Sequence, residues 1–179
     1  MLNKIICAGV GGQGVLTLGM ILAEGSASLG KNVTYIPEYG SEMRGGDAAT
    51  KIQIDDEAIV WPYMEEMNVF VVLHQSQVDK YIDMLEEGGM VFAEEELVPD
   101  LPEKPGIKVI KVPCVKIAEK QSNQKGVSCV MAGAVIAGMN LFPEDIASRA
   151  VQEYFSHKGL PVEKNLSCFV EGYQYINQL

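Results

Sequence analysis

Three features of the chain predict an α/β domain of three layers, with a largely parallel central sheet and helices on both faces. A short apolar run, Ile5-Ile6-Cys7-Ala8, stops at the glycines of Gly9-Val10-Gly11-Gly12-Gln13-Gly14, and a helix-like apolar recurrence begins at once. Residues 69–73 form an uninterrupted apolar run, as a central strand covered on both faces requires. Short strand candidates interleave with helical recurrences along the chain, the pattern of strand–helix–strand units. The layout is Rossmann-like, and all 179 residues read as one domain with no repeat and no internal boundary.

In order, residues 4–8 read as the first strand. Residues 14–29 read as a helix, with Val15, Leu18 and Leu22 on its apolar side and Gly30 as its stop. A second strand over 33–36 is expected to end at Pro37, a third spans 48–54, and 58–60 adds a short one. After the 69–73 strand, Ser76 is expected to cap a helix with Val78, Tyr81, Ile82 and Leu85 buried and Gly88 as terminator. Strands follow at 90–93 and 108–112. Between them, residues 94–106 hold three prolines and five acidic residues and read as an exposed connection. The last part reads as helices over 127–141, 144–155 and 162–176, the latter two entered through Pro143 and Pro161.

A net charge of −10 argues against a nucleic-acid or anionic-membrane surface. The first apolar run is short, has no basic leader and ends in glycines, unlike a signal peptide. The longest uncharged stretch, 126–143, is too short and too rich in small residues for a membrane span. These observations point to the cytoplasm. Cys7, Cys114, Cys129 and Cys168 are widely spaced with no Cys-x-x-Cys, so no metal or iron–sulfur site held by this chain alone is expected.

Three loops should meet beyond the carboxyl ends of the strands, where open α/β sheets bind ligands. In the first, Gly11, Gly12 and Gly14 leave the amides of a helix start bare for an anion, and Gln13 adds one directed side chain. A tight turn packing helix on strand explains the same glycines. In the second, Arg44 beside Gly45 and Gly46 suits bidentate capture of a carboxylate or phosphate, with Glu42 close enough to orient it. A solvated surface loop is the plain alternative. The third carries His74, which a hydrogen-bonded strand end would equally explain. Glu38 stands 24 residues after Gly14, near the place of a ribose-binding acid.

Gly9-Val10-Gly11-Gly12-Gln13-Gly14-Val15 followed by Tyr39-Gly40-Ser41-Glu42-Met43-Arg44-Gly45-Gly46 resembles the gamma subunit of 2-oxoacid:ferredoxin (acceptor) oxidoreductases, the pyruvate/ketoisovalerate/2-oxoglutarate oxidoreductase family. Lys164-Asn165-Leu166 with Gly172 is a weaker third match, and the likeness covers essentially the whole chain. The sequence departs from the family where residues 127–134 lack an Asn and where Met67-Asn68 replaces Pro-Asp. The resemblance implies a part of an enzyme, with no catalytic residue in this chain alone. Other subunits would bind thiamine diphosphate and magnesium, a ferredoxin-like subunit would carry iron–sulfur clusters, and coenzyme A would accept the acyl group. Gly11, Gly12, Gln13, Gly14, Glu42, Met43, Arg44, Gly45 and Gly46 are the binding residues it implies, facing coenzyme A or a partner chain. Two other readings remain: a free-standing NAD(P)- or flavin-binding protein with Glu38 on the ribose, and a non-catalytic anion-binding regulatory module.

Overall fold

The computed structural model describes residues 2–40 and 45–179. Strands β1 (Asn3–Val10), β2 (Asn32–Tyr39), β3 (Asp47–Asp55), β4 (Met67–Val72), β5 (Leu85–Glu94) and β6 (Lys108–Val112) form one sheet in the order β2-β3-β1-β4-β5-β6. Every strand except β3 runs in the same direction, and β3 lies antiparallel between β2 and β1. The carboxyl ends of β1, β2 and β4 therefore share an edge with the start of β3. Strand order reverses at β1, whose successors lie on opposite sides of it. Such a reversal opens a crevice at the carboxyl ends.

The helices are α1 (Val15–Ser28), α2 (Val78–Tyr81), α3 (Cys114–Lys120), α4 (Val127–Met139), α5 (Glu144–His157) and α6 (Glu163–Asn177). Both faces of the sheet are covered, unequally. On one face α1, α3, α4, α5 and α6 bury Ile5, Cys7, Ile52, Val71 and Phe92. On the other, α2 and the connecting loops bury Ile6, Ala8, Phe70, Val72 and Val91. Alternate residues of β1 and β4 thus enter separate cores, which is why these strands read as continuous apolar runs. Helix α4 is buried at nine consecutive positions, Ser128 to Ile136, as a helix enclosed on all sides must be.

Several expected boundaries move. Strand β2 passes through Pro37 to Tyr39, because an edge strand tolerates a missing N–H. Residues 58–60 are not a strand: Val60 is 93% exposed, and the segment is held as a loop by the Gln53 side chain, which donates to the Trp61 carbonyl. The helix expected from Ser76 to Gly88 shrinks to α2 between two 3₁₀ turns, Gln75–Gln77 and Ile82–Met84. His74, not Ser76, supplies the cap, and it caps the first 3₁₀ turn by accepting the Ser76 N–H, while α2 itself has no side-chain cap. Leu85 starts β5 by pairing with Met67, and Gly88 (φ +77°) makes a bulge inside that strand instead of ending a helix. Helix α3 was not expected from the sequence. The 94–106 connection is not exposed throughout, since Glu94 and Val98 are fully buried.

Candidate functional site

The turn after β1 and the base of the β2–β3 hairpin are joined directly. The Gly11 N–H donates to the Gly46 carbonyl at 2.8 Å. A Cβ on Gly11 would lie 3.1 Å from the Gly45 amide nitrogen, so glycine permits this approach. Gly12 (φ +98°) and Gly14 (φ +75°) have backbone conformations that favour glycine, and a Cβ on Gly14 would also meet Ser128 Oγ at 2.5 Å. Gly14 is the N-cap of α1, whose first-turn N–H groups have no intrahelical acceptor and carry the positive end of the helix dipole. Gly11, Gly12, Thr17, Tyr39, Gly45 and Gly46 border a cleft of about 390 Å³. Tyr39, 70% exposed, forms one wall. Glu42, Met43 and Arg44 lie outside the described residues.

Gln13 is tied at both ends of its amide. Its Oε1 accepts the Val10 N–H at 2.8 Å, and its Nε2 donates to the Leu73 carbonyl at 2.9 Å. It therefore bridges β1 to the end of β4 across the strand-order reversal. Replacing it with alanine should cost about 1–2 kcal/mol of stability, the scale of unmaking such bonds at partly buried groups. Urea denaturation of the isolated chain measures this; wild-type stability would mean the bridge contributes nothing.

Glu38 does not stand beside the glycine turn. Insertion of β3 places the end of β2 two strand spacings, about 10 Å, from β1. Pairing with Ala49 turns Glu38 to the face away from α1. Its carboxylate pairs with Lys51 at 2.8 Å and accepts the Tyr81 hydroxyl at 3.4 Å. Burial, then the Glu38 charge, pushes the Tyr81 phenol up to about 12. The ribose role considered for Glu38 has no support in this placement. His74 Nδ1 lies 2.9 Å from Ser76 Oγ and serves as a cap.

A polar cluster missed in the sequence lies under the hairpin base. Asp47, the first residue of β3, accepts Nε2 of the buried Gln77 at 2.6 Å and pairs with Lys80. Lys80, then Gln77, hold the Asp47 carboxyl below the usual range. Its partners lie 30 and 33 residues away, a contact that no local pattern announces. All four cysteines are buried, and burial pushes the Cys7 and Cys129 thiols up to about 12, which leaves them protonated and poor metal ligands. Among the described residues, no group of three or more His, Cys, Asp or Glu side chains could hold a metal ion. Among them, too, no helix is long and apolar enough to cross a membrane.

The sequence profile described as pyruvate ferredoxin/flavodoxin oxidoreductase matches residues 4–175. The chain belongs to that family. The 2-oxoglutarate synthase subunit KorC of Methanocaldococcus jannaschii is 32% identical over 182 residues, spanning 100% of this chain and 96% of the relative. The ketoisovalerate oxidoreductase subunit VorA of Methanothermobacter marburgensis is 29% identical over 170 residues, or 94% of this chain and 35% of that one. This chain thus spans about a third of that relative's length. The gamma subunit of a keto/oxoacid ferredoxin oxidoreductase from Geobacter sulfurreducens PCA has the same fold across 99% of both chains, at a TM-score of 0.83 and 25% identity. The fold recurs within the 2-oxoglutarate:ferredoxin oxidoreductase of Magnetococcus marinus, a structure with 2-oxoglutarate, coenzyme A and succinyl-CoA bound. There the TM-score is 0.88 at 21% identity, over 99% of this chain and 31% of that one. The α/β fold expected from the sequence is that of gamma subunits in this family, and the resemblance drawn from the two glycine-rich motifs holds.

Proposed function

We propose that this gamma-type chain works in a multisubunit 2-oxoacid:ferredoxin oxidoreductase, which converts a 2-oxoacid and coenzyme A to acyl-CoA and carbon dioxide while reducing ferredoxin. Partner chains supply thiamine diphosphate, magnesium and iron–sulfur clusters. This chain supplies a docking corner for coenzyme A, a polyanion, at the edge of the catalytic subunits. Our choice of oxoacid is 2-oxoglutarate, after the name of the KorC relative that aligns over 96% of its length. The place of work in this reading is the cytoplasm.

The observation that carries this reading is the Gly11–Gly46 hydrogen bond. It joins the glycine turn to the base of the β2–β3 hairpin, so that the bare amides of α1 stand beside Gly45 and Gly46, which follow Arg44 in sequence. Amides at a helix start and a guanidinium are both suited to phosphate oxygens. The exposed Tyr39 ring offers an apolar wall to the remainder of the ligand.

The test is coenzyme A titration of the complex reconstituted with its partner subunits, read by turnover and by amide hydrogen exchange. Coenzyme A is expected to slow exchange in residues 10–17 and 45–48. Arg44→Ala is expected to raise the KM for coenzyme A about tenfold, equivalent to losing one charge-assisted contact, while the isolated chain keeps its fold. Unchanged exchange in both segments, together with wild-type kinetics for Arg44→Ala, would remove coenzyme A from this corner.

A further inference from the structure

We propose that Asp47 is a positioning residue for this corner, clamping the Gly45–Gly46 backbone between the glycine turn and the turn after β4. The inference rests on the coenzyme A reading for its kinetic consequence, but the clamp itself is a separate physical claim.

Three segments meet at this one residue. Asp47 pairs with Val10 at the end of β1. Its carbonyl accepts the Gly40 N–H at 2.7 Å, closing the hairpin, and the Gly46 carbonyl just before it accepts the Gly11 N–H. Its carboxylate accepts from Gln77 and Lys80, both from the segment that follows β4. The Val10 pairing and the Gly11–Gly46 bond tie the glycine turn to the hairpin, the Gly40 bond closes the hairpin on itself, and the carboxylate contacts tie it to the neighbouring part of the fold.

Gln77 is oriented for this task. A carboxylate only accepts, so Gln77 must turn Nε2 toward Asp47. The Gln77 Oε1 is then buried without a donor among the described residues, a condition that folded proteins rarely keep without reason. The Lys80–Asp47 pair is about half exposed, with side chains 45% and 47% accessible, and pairs of that kind add little to global stability. What they restrain is the dipeptide Gly45-Gly46, where the backbone has most freedom to lose. Loss of the clamp should therefore disturb ligand positioning more than folding.

Asp47→Ala and Asp47→Asn separate these effects. Asn keeps an acceptor for Gln77 while losing the charge that faces Lys80. Without ligand, Asp47→Ala is expected to speed hydrogen exchange at the Gly11 and Gly40 amides, with Asp47→Asn closer to wild type. In the reconstituted complex Asp47→Ala is expected to raise the KM for coenzyme A about tenfold with kcat nearly unchanged, as loss of binding shared by the ground and transition states does, and Asn should recover most of the loss. Wild-type exchange at Gly11 and Gly40 in Asp47→Ala overturns the clamp, whatever coenzyme A does. Faster exchange with an unchanged KM overturns the positioning role. Failure of coenzyme A to protect the wild-type corner from exchange is the separate result that defeats the coenzyme A reading.

Discussion

Gly172→Ala is expected to destabilise the isolated chain by about 3 kcal/mol, the upper end of the usual cost of overpacking a core. A Cβ at Gly172 would stand 2.0 Å from the Val130 carbonyl oxygen and 2.7 Å from its carbon. The contact is reciprocal: a Cβ at Gly133 would stand 2.1 Å from the Phe169 carbonyl oxygen and 2.7 Å from the Tyr173 nitrogen. Neighbours of this kind are backbone and cannot rotate aside, so α4 and α6 would have to separate. Separation uncovers Phe169 and Cys168, both fully buried. Alanine gains about 1 kcal/mol of intrinsic helix preference over glycine, which is too little to offset the clash. Ser167→Ala, on the exposed side of the same helix, should stay within about 0.5 kcal/mol of wild type. Urea unfolding of both variants decides the matter, and a Gly172→Ala midpoint equal to that of Ser167→Ala would refute the close-packing account.

Part of this fold is legible in the sequence. The glycines of residues 127–139 are visible in the sequence, and the folded chain sets Gly133 against α6 and Gly138 against Phe92 of β5. The first strand, the glycine turn and α1 were readable because each rests on neighbours in sequence: an apolar run, positive-φ positions and a helical period. The direction of β3 was not readable, since alternation along a strand says nothing about which way its partner runs. That direction moves β2 away from β1 and removes Glu38 from the neighbourhood of the glycine turn. The α2 region failed because apolar spacings of three and four fit a succession of 3₁₀ and α turns as well as one helix, while pairing of Leu85 with Met67 decided where the strand began. In the site, the meeting of the two glycine-rich loops was foreseeable because loops after the strands of an open α/β sheet converge beyond their carboxyl ends. The bridging role of Gln13 and the Asp47–Gln77–Lys80 cluster depend on contacts between segments distant in sequence, which only the folded chain assembles.

Glu94 is the other position where a large effect is expected. A carboxylate with no exposure at the carboxyl end of a central strand invites a catalytic assignment, and its bonding argues against one. Oε2 accepts the N–H groups of Glu96 at 2.8 Å and Leu97 at 2.6 Å, and Oε1 accepts that of Val115 at 3.2 Å. Both oxygens are thus engaged in turning the chain out of β5 and in holding the first turn of α3. Glu94→Ala would leave three part-buried amides without their acceptor, at up to about 1–3 kcal/mol each when no water replaces it. A total loss of about 4 kcal/mol is expected, with some relaxation of the turn. Glu94→Gln should lose less, because its carbonyl oxygen can serve one side while its NH₂ faces an amide on the other. The damage should also reach the site. The Leu97 carbonyl accepts the Gln75 N–H at 2.9 Å, and Gln75 opens the turn that presents Gln77 to Asp47. Denaturant titration should rank wild type above Gln and Gln above Ala, with faster amide exchange at Gln75 in both variants. If Glu94→Ala kept full stability but abolished turnover in the assembled complex, the carboxylate would belong to the chemistry rather than to the scaffold.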